Sequence, residues 1–78
     1  MEELLKTNDP VTLSFATSLL EEAGIGHLVV DQHMSIVEGS LGIIPRRLLV
    51  ERDALTQARA LCVDAGIGHE LTPEQKGL

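Results

Sequence analysis

The sequence predicts a small α+β domain built from two β-α-β units in tandem. Two repeats carry this prediction. The pentapeptide Ala-Gly-Ile-Gly-His occurs at residues 23–27 and again at residues 65–69. A leucine pair followed by an aspartate also occurs twice. Its two copies are Leu4, Leu5 and Asp9, and Leu48, Leu49 and Asp53.

Two such units give the order β-α-β-β-α-β, which is the ferredoxin-like split β-α-β sandwich. Right-handed crossovers then place strands one and three in the centre of a four-stranded antiparallel sheet, with the two helices on one face. We expect a single ferredoxin-like domain over residues 1–71, with an inter-repeat loop at residues 31–47. Residues 72–78 are polar and predict a flexible C-terminal tail.

The first unit begins with a short strand at Glu3–Thr7, which turn-forming residues follow. Asp9 suits the N-cap of a helix, and Pro10 suits its first turn because the missing N–H is not needed there. Gly24 suits a left-handed C-cap, and strand two follows at Gly26–Asp31. Apolar residues recur at helical spacing between the caps. They are Phe15, Ala16, Leu19, Leu20 and Ala23.

The second unit repeats this pattern. Strand three is predicted at Leu48–Glu51, Asp53 repeats the cap, Gly66 ends the second helix, and Ile67–Leu71 is strand four. The apolar stripe of the second helix has the same helical spacing. It consists of Leu55, Ala58, Leu61, Cys62 and Ala65. Cys62 on this stripe predicts a buried core thiol.

Composition excludes several classes of function. The net charge of −6 opposes binding to nucleic acid or anionic lipid. No apolar stretch is long enough to span a membrane, and the N-terminus has no basic segment before an apolar run, so we expect a cytoplasmic protein. At 78 residues the chain is near the lower size limit for independent folding. A partner subunit would help, and we expect a homodimer.

The two central strands read as apolar on both faces, because Leu4 adjoins Leu5 and residues 48–50 are all apolar. A sheet half in water should alternate. We therefore expect the face away from the helices to be covered, either by the inter-repeat loop or by a second copy of the protein.

The inter-repeat loop holds most of the reactive side chains and is the candidate ligand or partner site. Its candidate residues are Asp31, His33, Glu38, Gly39, Ser40, Gly42, Arg46 and Arg47. The glycine-rich turn could offer backbone N–H groups to an anion near the two arginines, which hold carboxylates or phosphates through forked contacts. The alternative is structural: Arg46 or Arg47 pairs with Asp31 or Glu38 and pins the loop.

No metal, cofactor or catalytic site is predicted. The paired ligand spacings of zinc sites are absent, and Met34 reads as a core gap-filler. Ser40 is not in a nucleophile elbow, because Glu38 stands where that motif needs glycine. His27 and His69 are expected to be equivalent residues at strand starts with structural roles.

The sequence resembles a small bacterial family in several segments. They are Thr7–Asp9, Asp31–Ser35, Glu38–Gly42, Pro45–Arg47 and the Ala-Gly-Ile after each helix. That family is described as putative prokaryotic signal-transducing proteins, and the resemblance covers roughly residues 3–70. It implies a ferredoxin-like fold and a loose likeness to the nitrogen-regulatory PII proteins, whose regulatory loop also joins strands two and three.

These observations favour a small cytoplasmic regulatory or interaction module that binds an unidentified protein partner or a small anionic ligand through its inter-repeat loop. The first alternative is a purely structural dimerisation module, in which the loop is a lid on the sheet. An enzyme or a metal-binding protein is the remaining alternative.

Overall fold

The computed structural model describes residues 1–31 and 45–73. Its strands are β1 (Glu2–Thr7), β2 (His27–Asp31) and β3 (Arg46–Val50), and its helices are α1 (Pro10–Ala23) and α2 (Leu55–Asp64). Two short 3-10 helices, Arg52–Ala54 and Gly68–Glu70, flank α2. The α+β class with two helices is therefore confirmed.

The three strands form an antiparallel sheet in the order β1-β3-β2. At one end of the sheet Thr7, Arg46 and Asp31 stand side by side in register. β3 begins at Arg46, two residues earlier than the sequence predicts. Arg46 and Arg47, which the sequence assigns to the loop, are therefore strand residues. Asp31 ends β2, where strand two is predicted to end.

A β-bulge interrupts β1 at Leu4. Glu3 pairs with Leu49, whereas Leu5 pairs with Leu48, so two residues of β1 occupy one step of β3. Leu4 and Leu5 are both fully buried in the same core cluster. The prediction that this leucine pair makes β1 apolar on both faces is therefore wrong, because the bulge lets adjacent leucines share one core.

One core cluster joins the sheet to both helices. Leu48 and Val50 are fully buried and, two residues apart, lie on the same face of β3. The core contains no aromatic side chain. Its buried residues are Leu4, Leu5, Leu13, Ala16, Leu20, Ile25, Leu48, Val50, Ala58 and Cys62. Burial of this aliphatic surface is the main favourable term in the stability of the fold.

The buried stripe of α1 differs from the predicted one. Leu13, Ala16 and Leu20 are the buried residues of the helix, at steps of three and four. Phe15 is 43% exposed and Ala23 is also exposed. Leu13 sets the position of the stripe, and Phe15 lies two residues later, which is more than half a helical turn away from it.

The N-cap of α1 is confirmed. Asp9 has extended backbone angles, and its Oδ1 accepts a hydrogen bond of 2.9 Å from the backbone N–H of Val11. Its Oδ2 accepts a second bond, of 3.1 Å, from the hydroxyl of Thr12. Pro10 follows in the first turn, where its fixed φ suits the helix.

The C-caps of the two helices share one geometry. Gly24 and Gly66 have φ of 72° and 89°, in the left-handed region. The residue after each glycine donates its backbone N–H to a carbonyl five positions earlier, Ile25 to Leu20 at 2.9 Å and Ile67 to Cys62 at 3.0 Å. These are Schellman bonds, and they satisfy carbonyls that the helix leaves free.

Asp53 does not repeat the cap of Asp9. It lies inside the 3-10 helix Arg52–Ala54, and α2 begins at Leu55 with no side-chain hydrogen bond at its N-cap, Ala54. No proline follows Asp53, so nothing fixes the next residue in the first turn of an α-helix as Pro10 does after Asp9. The predicted second cap is therefore wrong.

The predicted fourth strand, Ile67–Leu71, is also wrong. Gly68–Glu70 forms a 3-10 helix, and Leu71 makes one isolated antiparallel bridge to Leu5. β2 continues its Gly-His start with Leu-Val-Val, whereas here Glu-Leu-Thr follows and then Pro73. The β-branched pair is missing, and proline cannot donate to a ladder.

The contrast between Asp9 and Asp53 is testable by substitution. Asp9→Ala should lower the free energy of unfolding by about 1 kcal/mol, because it removes the acceptor of a helix N-cap. Asp53→Ala, the matched control, should change it by less than about 0.5 kcal/mol, as a surface substitution does. Urea denaturation followed by circular dichroism measures both. Equal losses would contradict the assignment.

Candidate functional site

The structure describes three of the predicted site residues, Asp31, Arg46 and Arg47. The others, His33, Glu38, Gly39, Ser40 and Gly42, lie outside the described residues, as does Met34. Asp31 pairs in register with Arg46 at the ends of β2 and β3. Arg47 is the next residue along β3, so its side chain lies on the opposite face of the sheet from that of Arg46.

We call the face of the sheet opposite the core cluster the open face, a name that refers to residues 1–31 and 45–73 alone. Its members follow from the register of the three strands, since paired residues share a face. They are Glu3 and Lys6 of β1, Arg47 and Leu49 of β3, and Leu28 and Val30 of β2. The open face is thus charged beside β1 and apolar beside β2.

An ion pair crosses the charged part of the open face. Arg47 Nη1 lies 3.6 Å from Glu3 Oε1, and the two side chains are 49% and 25% exposed. An ion pair of Arg47 is therefore present, but its partner is on β1, whereas the sequence pointed to Asp31 or Glu38. The predicted pairing of Arg46 with either acid stays a prediction.

Lys6 stands directly beside Arg47 in the register of β1 and β3. Lys6 is exposed, and no ion pair joins it to another residue of the described part of the chain. Side chains opposite each other on neighbouring strands have Cβ atoms about 5 Å apart, so these two positive charges repel. Glu3 balances only one of them.

A shallow hollow lies at this pair of cations. It has a volume of about 300 Å³ and is lined by Glu3, Lys6, Pro45 and Arg47. Both cations border the same small space, and both are exposed to solvent. The hollow is large enough for a small ion such as a phosphate or a short dicarboxylate, and it presents donors for such an ion.

Glu3 also borders a second hollow, of about 280 Å³, whose other walls include Lys6 and Thr72. The hydroxyl of Thr72 donates a 2.5 Å hydrogen bond to Glu3 Oε2. The backbone N–H of Thr72 donates to the carbonyl of Leu4 at 2.9 Å, and Arg59 Nη1 donates to the Thr72 carbonyl at 2.6 Å. The carboxylate of Glu3 is thus held between Arg47 and Thr72.

The two histidines are not equivalent. His27 starts β2, and its Nδ1 lies 3.0 Å from the carbonyl oxygen of Ile25. His69 lies in a 3-10 helix, with its Nε2 3.4 Å from a carboxylate oxygen of Glu70. Their predicted equivalence is therefore wrong, although both have local contacts. Within residues 1–31 and 45–73, no three His, Cys, Asp or Glu side chains converge as a metal site would require.

Cys62 is a buried thiol of the core, as the sequence predicts. Burial raises its pKa above the ordinary value, and the positive charge of Arg59 opposes this rise to a smaller extent. Because the thiolate is the nucleophile, a raised pKa makes Cys62 less reactive near neutral pH.

Glu3 and Lys6 line the hollow at Arg47, but the sequence analysis did not identify them as site residues. The prediction that strands one and three are neighbours was the signal that could have indicated contacts between Arg47 and residues of β1. The bulge at Leu4 decides the outcome, because it places Glu3 and Lys6, three residues apart, on the same face of the sheet. An unbroken strand would put them on opposite faces.

Comparison with known proteins gives one family. The sequence model of a family described as putative prokaryotic signal transducing protein matches residues 1–66. No curated protein matches the chain. Neither α1 nor α2, the α-helices of the described residues, is long and apolar enough to cross a bilayer.

The burial of Cys62 predicts its chemistry. At about pH 8 the folded protein should react with a thiol reagent far more slowly than the urea-unfolded protein, because both burial and the raised pKa suppress the thiolate. The folded state keeps the proton more tightly than the unfolded state, so this group's contribution to stability is lost as pH rises through the raised pKa. Ellman's reagent measures the rates, and equal rates would contradict the assignment.

Proposed function

This chain belongs to the family described as putative prokaryotic signal transducing proteins, and from that premise we propose that it is a small regulatory module that binds a small anion. The proposed site is the hollow between Lys6 and Arg47 on the open face of the sheet. The observation that carries the proposal is the direct pairing of two exposed cations across neighbouring strands.

The distribution of charge supports an anion site. The chain has six Lys and Arg residues against twelve Asp and Glu, so positive charge is scarce. Three of those six cations, Lys6, Arg46 and Arg47, lie at one end of β1 and β3. Like charges that face each other across strands destabilise a sheet. A bound anion between Lys6 and Arg47 relieves this repulsion, and the arginine can hold a carboxylate or phosphate through two parallel N–H bonds.

Glu3 gives the site an internal competitor. Its carboxylate occupies one side of Arg47 at 3.6 Å, and the hydroxyl of Thr72 holds the same carboxylate from the other side. An incoming anion that binds Arg47 must share the guanidinium with Glu3 or displace it. Ligand binding is thereby coupled to the contact between β1 and the segment at Thr72.

The inter-repeat segment joins the sheet at this same end, because Asp31 ends β2 and Arg46 begins β3. We propose that His33, Glu38, Gly39, Ser40 and Gly42 complete the site and present the bound state to a protein partner. In this proposal the protein acts in the cytoplasm, by binding and without catalysis. The ferredoxin-like order also belongs to the proposal. In it the segment at Leu71, which is a single bridge and not a full strand, takes the fourth position beside β1, and its antiparallel bridge to Leu5 supports this.

The structural alternative has its own supporting observation. The ion pair of Glu3 with Arg47 and the hydrogen bond of Glu3 with Thr72 tie β1 to β3 and to the C-terminal segment. If these contacts serve only to lock the fold, the hollow binds nothing. The two readings differ in what removal of a charge does to anion affinity and to stability.

Charge removal at the hollow tests the site. Lys6→Gln and Arg47→Gln should each weaken the binding of inorganic phosphate or succinate about tenfold or more, because a charge-assisted hydrogen bond contributes about 1.5 to 3 kcal/mol. Isothermal titration calorimetry measures the affinities. Arg52→Gln is the matched control: it removes the same charge from an exposed arginine that is paired with Glu2, at the other end of the β1–β3 pair. Phosphate and succinate affinities unaffected by Lys6→Gln would overturn the proposal.

Removal of the competitor separates the two readings. Glu3→Gln keeps an oxygen that can accept from Thr72 but removes the negative charge beside Arg47. In the proposed site this substitution should tighten anion binding several-fold, with a loss of stability below about 1 kcal/mol, as for a surface ion pair. If Glu3 only stabilises the fold, Glu3→Gln should lower the melting temperature by more than this. Neither the unmodified protein nor Glu3→Gln should then bind the anion. Calorimetry and thermal unfolding of the same samples distinguish these results.

A further inference from the structure

The outer edge of β2 is open in the part of the chain that the structure describes. β2 pairs with β3 along its full length, from His27 to Asp31, and no other strand within residues 1–31 and 45–73 pairs with it. An edge strand presents a row of backbone donors and acceptors, which makes it a template for a further strand.

The opposite edge of the sheet is closed by several features. β1 has a bulge at Leu4 and an exposed charge at Lys6. Leu71 forms a bridge to Leu5, and the backbone N–H of Thr72 donates to the Leu4 carbonyl. Bulges, lysines and covering segments are the devices by which natural proteins prevent an edge from pairing.

Among the residues that the structure describes, β2 has none of these devices. Its register with β3 is unbroken, and its sequence, His-Leu-Val-Val-Asp, contains neither lysine nor proline. Its apolar side chains are exposed on both faces of the sheet: Leu28 on the open face is 53% exposed, and Val29 on the core face is 38% exposed. β-branched residues on an unprotected edge favour pairing with another strand.

We propose that this edge binds the same edge of a second copy of the chain, with the two β2 strands antiparallel and the two-fold axis at Val29. This is the only symmetric register that pairs all five residues of both strands. Position 27 of each copy then faces position 31 of the other, so a histidine meets an aspartate at both ends and no like charges face each other. Such an interface is isologous, as in most dimers.

The resulting dimer joins the three described strands of each copy into one continuous sheet. Leu28 faces position 30 of the other copy on the open face, and the two Val29 side chains face each other on the core face. These contacts extend the apolar surface on both faces of the sheet. They add buried apolar area to a chain of 78 residues whose described core has no aromatic side chain. The hollow at Lys6 and Arg47 lies on the other side of β3 from this edge, so it stays accessible.

Solution mass is the first test. Light scattering across a dilution series should give twice the chain mass for the unmodified protein, and Val29→Lys should shift it to the monomer, because a lysine on an edge blocks pairing. Val63→Lys is the matched control, since Val63 is 59% exposed on α2 and its substitution should leave the dimer intact. A monomer at every concentration, or a Val29→Lys protein that stays dimeric, overturns the proposal.

Cross-linking tests the register without relying on a disruptive variant. In the proposed dimer the two residues at position 29 face each other with Cα atoms about 5 Å apart, which suits a disulfide. Val29→Cys oxidised with diamide, which accepts the two electrons and two protons, should give a covalent dimer on a non-reducing gel. Val63→Cys and the unmodified protein, whose only thiol is the buried Cys62, should stay monomeric on that gel. Cross-linking of all three proteins to the same extent, or of none, overturns the register.

Discussion

The pairing of β3 with its two neighbours, and the bulge at Leu4 within that pairing, determine both the core and the candidate site. Because side chains alternate along a strand, one extra residue shifts everything before it to the other face. The bulge allows Leu4 and Leu5 to enter one core, and it brings Glu3 to the face that already carries Lys6. The same irregularity therefore fills the interior and groups the charges of the open face.

The two halves of the chain show how far a sequence repeat determines a structural repeat. Both helices end in the same Schellman geometry, since a glycine with positive φ and a following isoleucine occur in both. The beginnings of the helices differ, because Pro10 follows Asp9 and no proline follows Asp53. The segments after the helices also differ, because two valines follow the first repeat and Pro73 interrupts the second. Local signals persist only where all of their residues are repeated.

The sequence predicted the α+β class, the N-cap at Asp9, both C-caps and the buried Cys62, because each depends on a few neighbouring residues. The bulge at Leu4 was not predictable from the leucine pair, since it arises from pairing with Leu48 and Leu49. Nor did any local pattern associate Lys6 with Arg47. The C-terminal end of the predicted loop was misplaced for a similar reason: arginines are not typical strand formers, and the ladder with β1 and β2 extends β3 to Arg46. All eight predicted site residues stay predictions as members of a binding site, and five of them lie outside the described residues.

The hydrogen bond between Thr72 and Glu3 limits the order in which the chain can fold. β1 makes its strand pairs with residues 46–50 and its other bonds with residues 71 and 72, so nearly every partner of the first strand is synthesised long after it. Contacts of such sequence separation require closure of long loops before they contribute. During synthesis on the ribosome, β1 cannot pair until these later residues have been made. In contrast, α1 and its caps depend only on residues close to them in sequence. The contacts of β1 with Leu71 and Thr72 can form only after those residues have been synthesised, so the charged face of β1 is assembled after both helices are available.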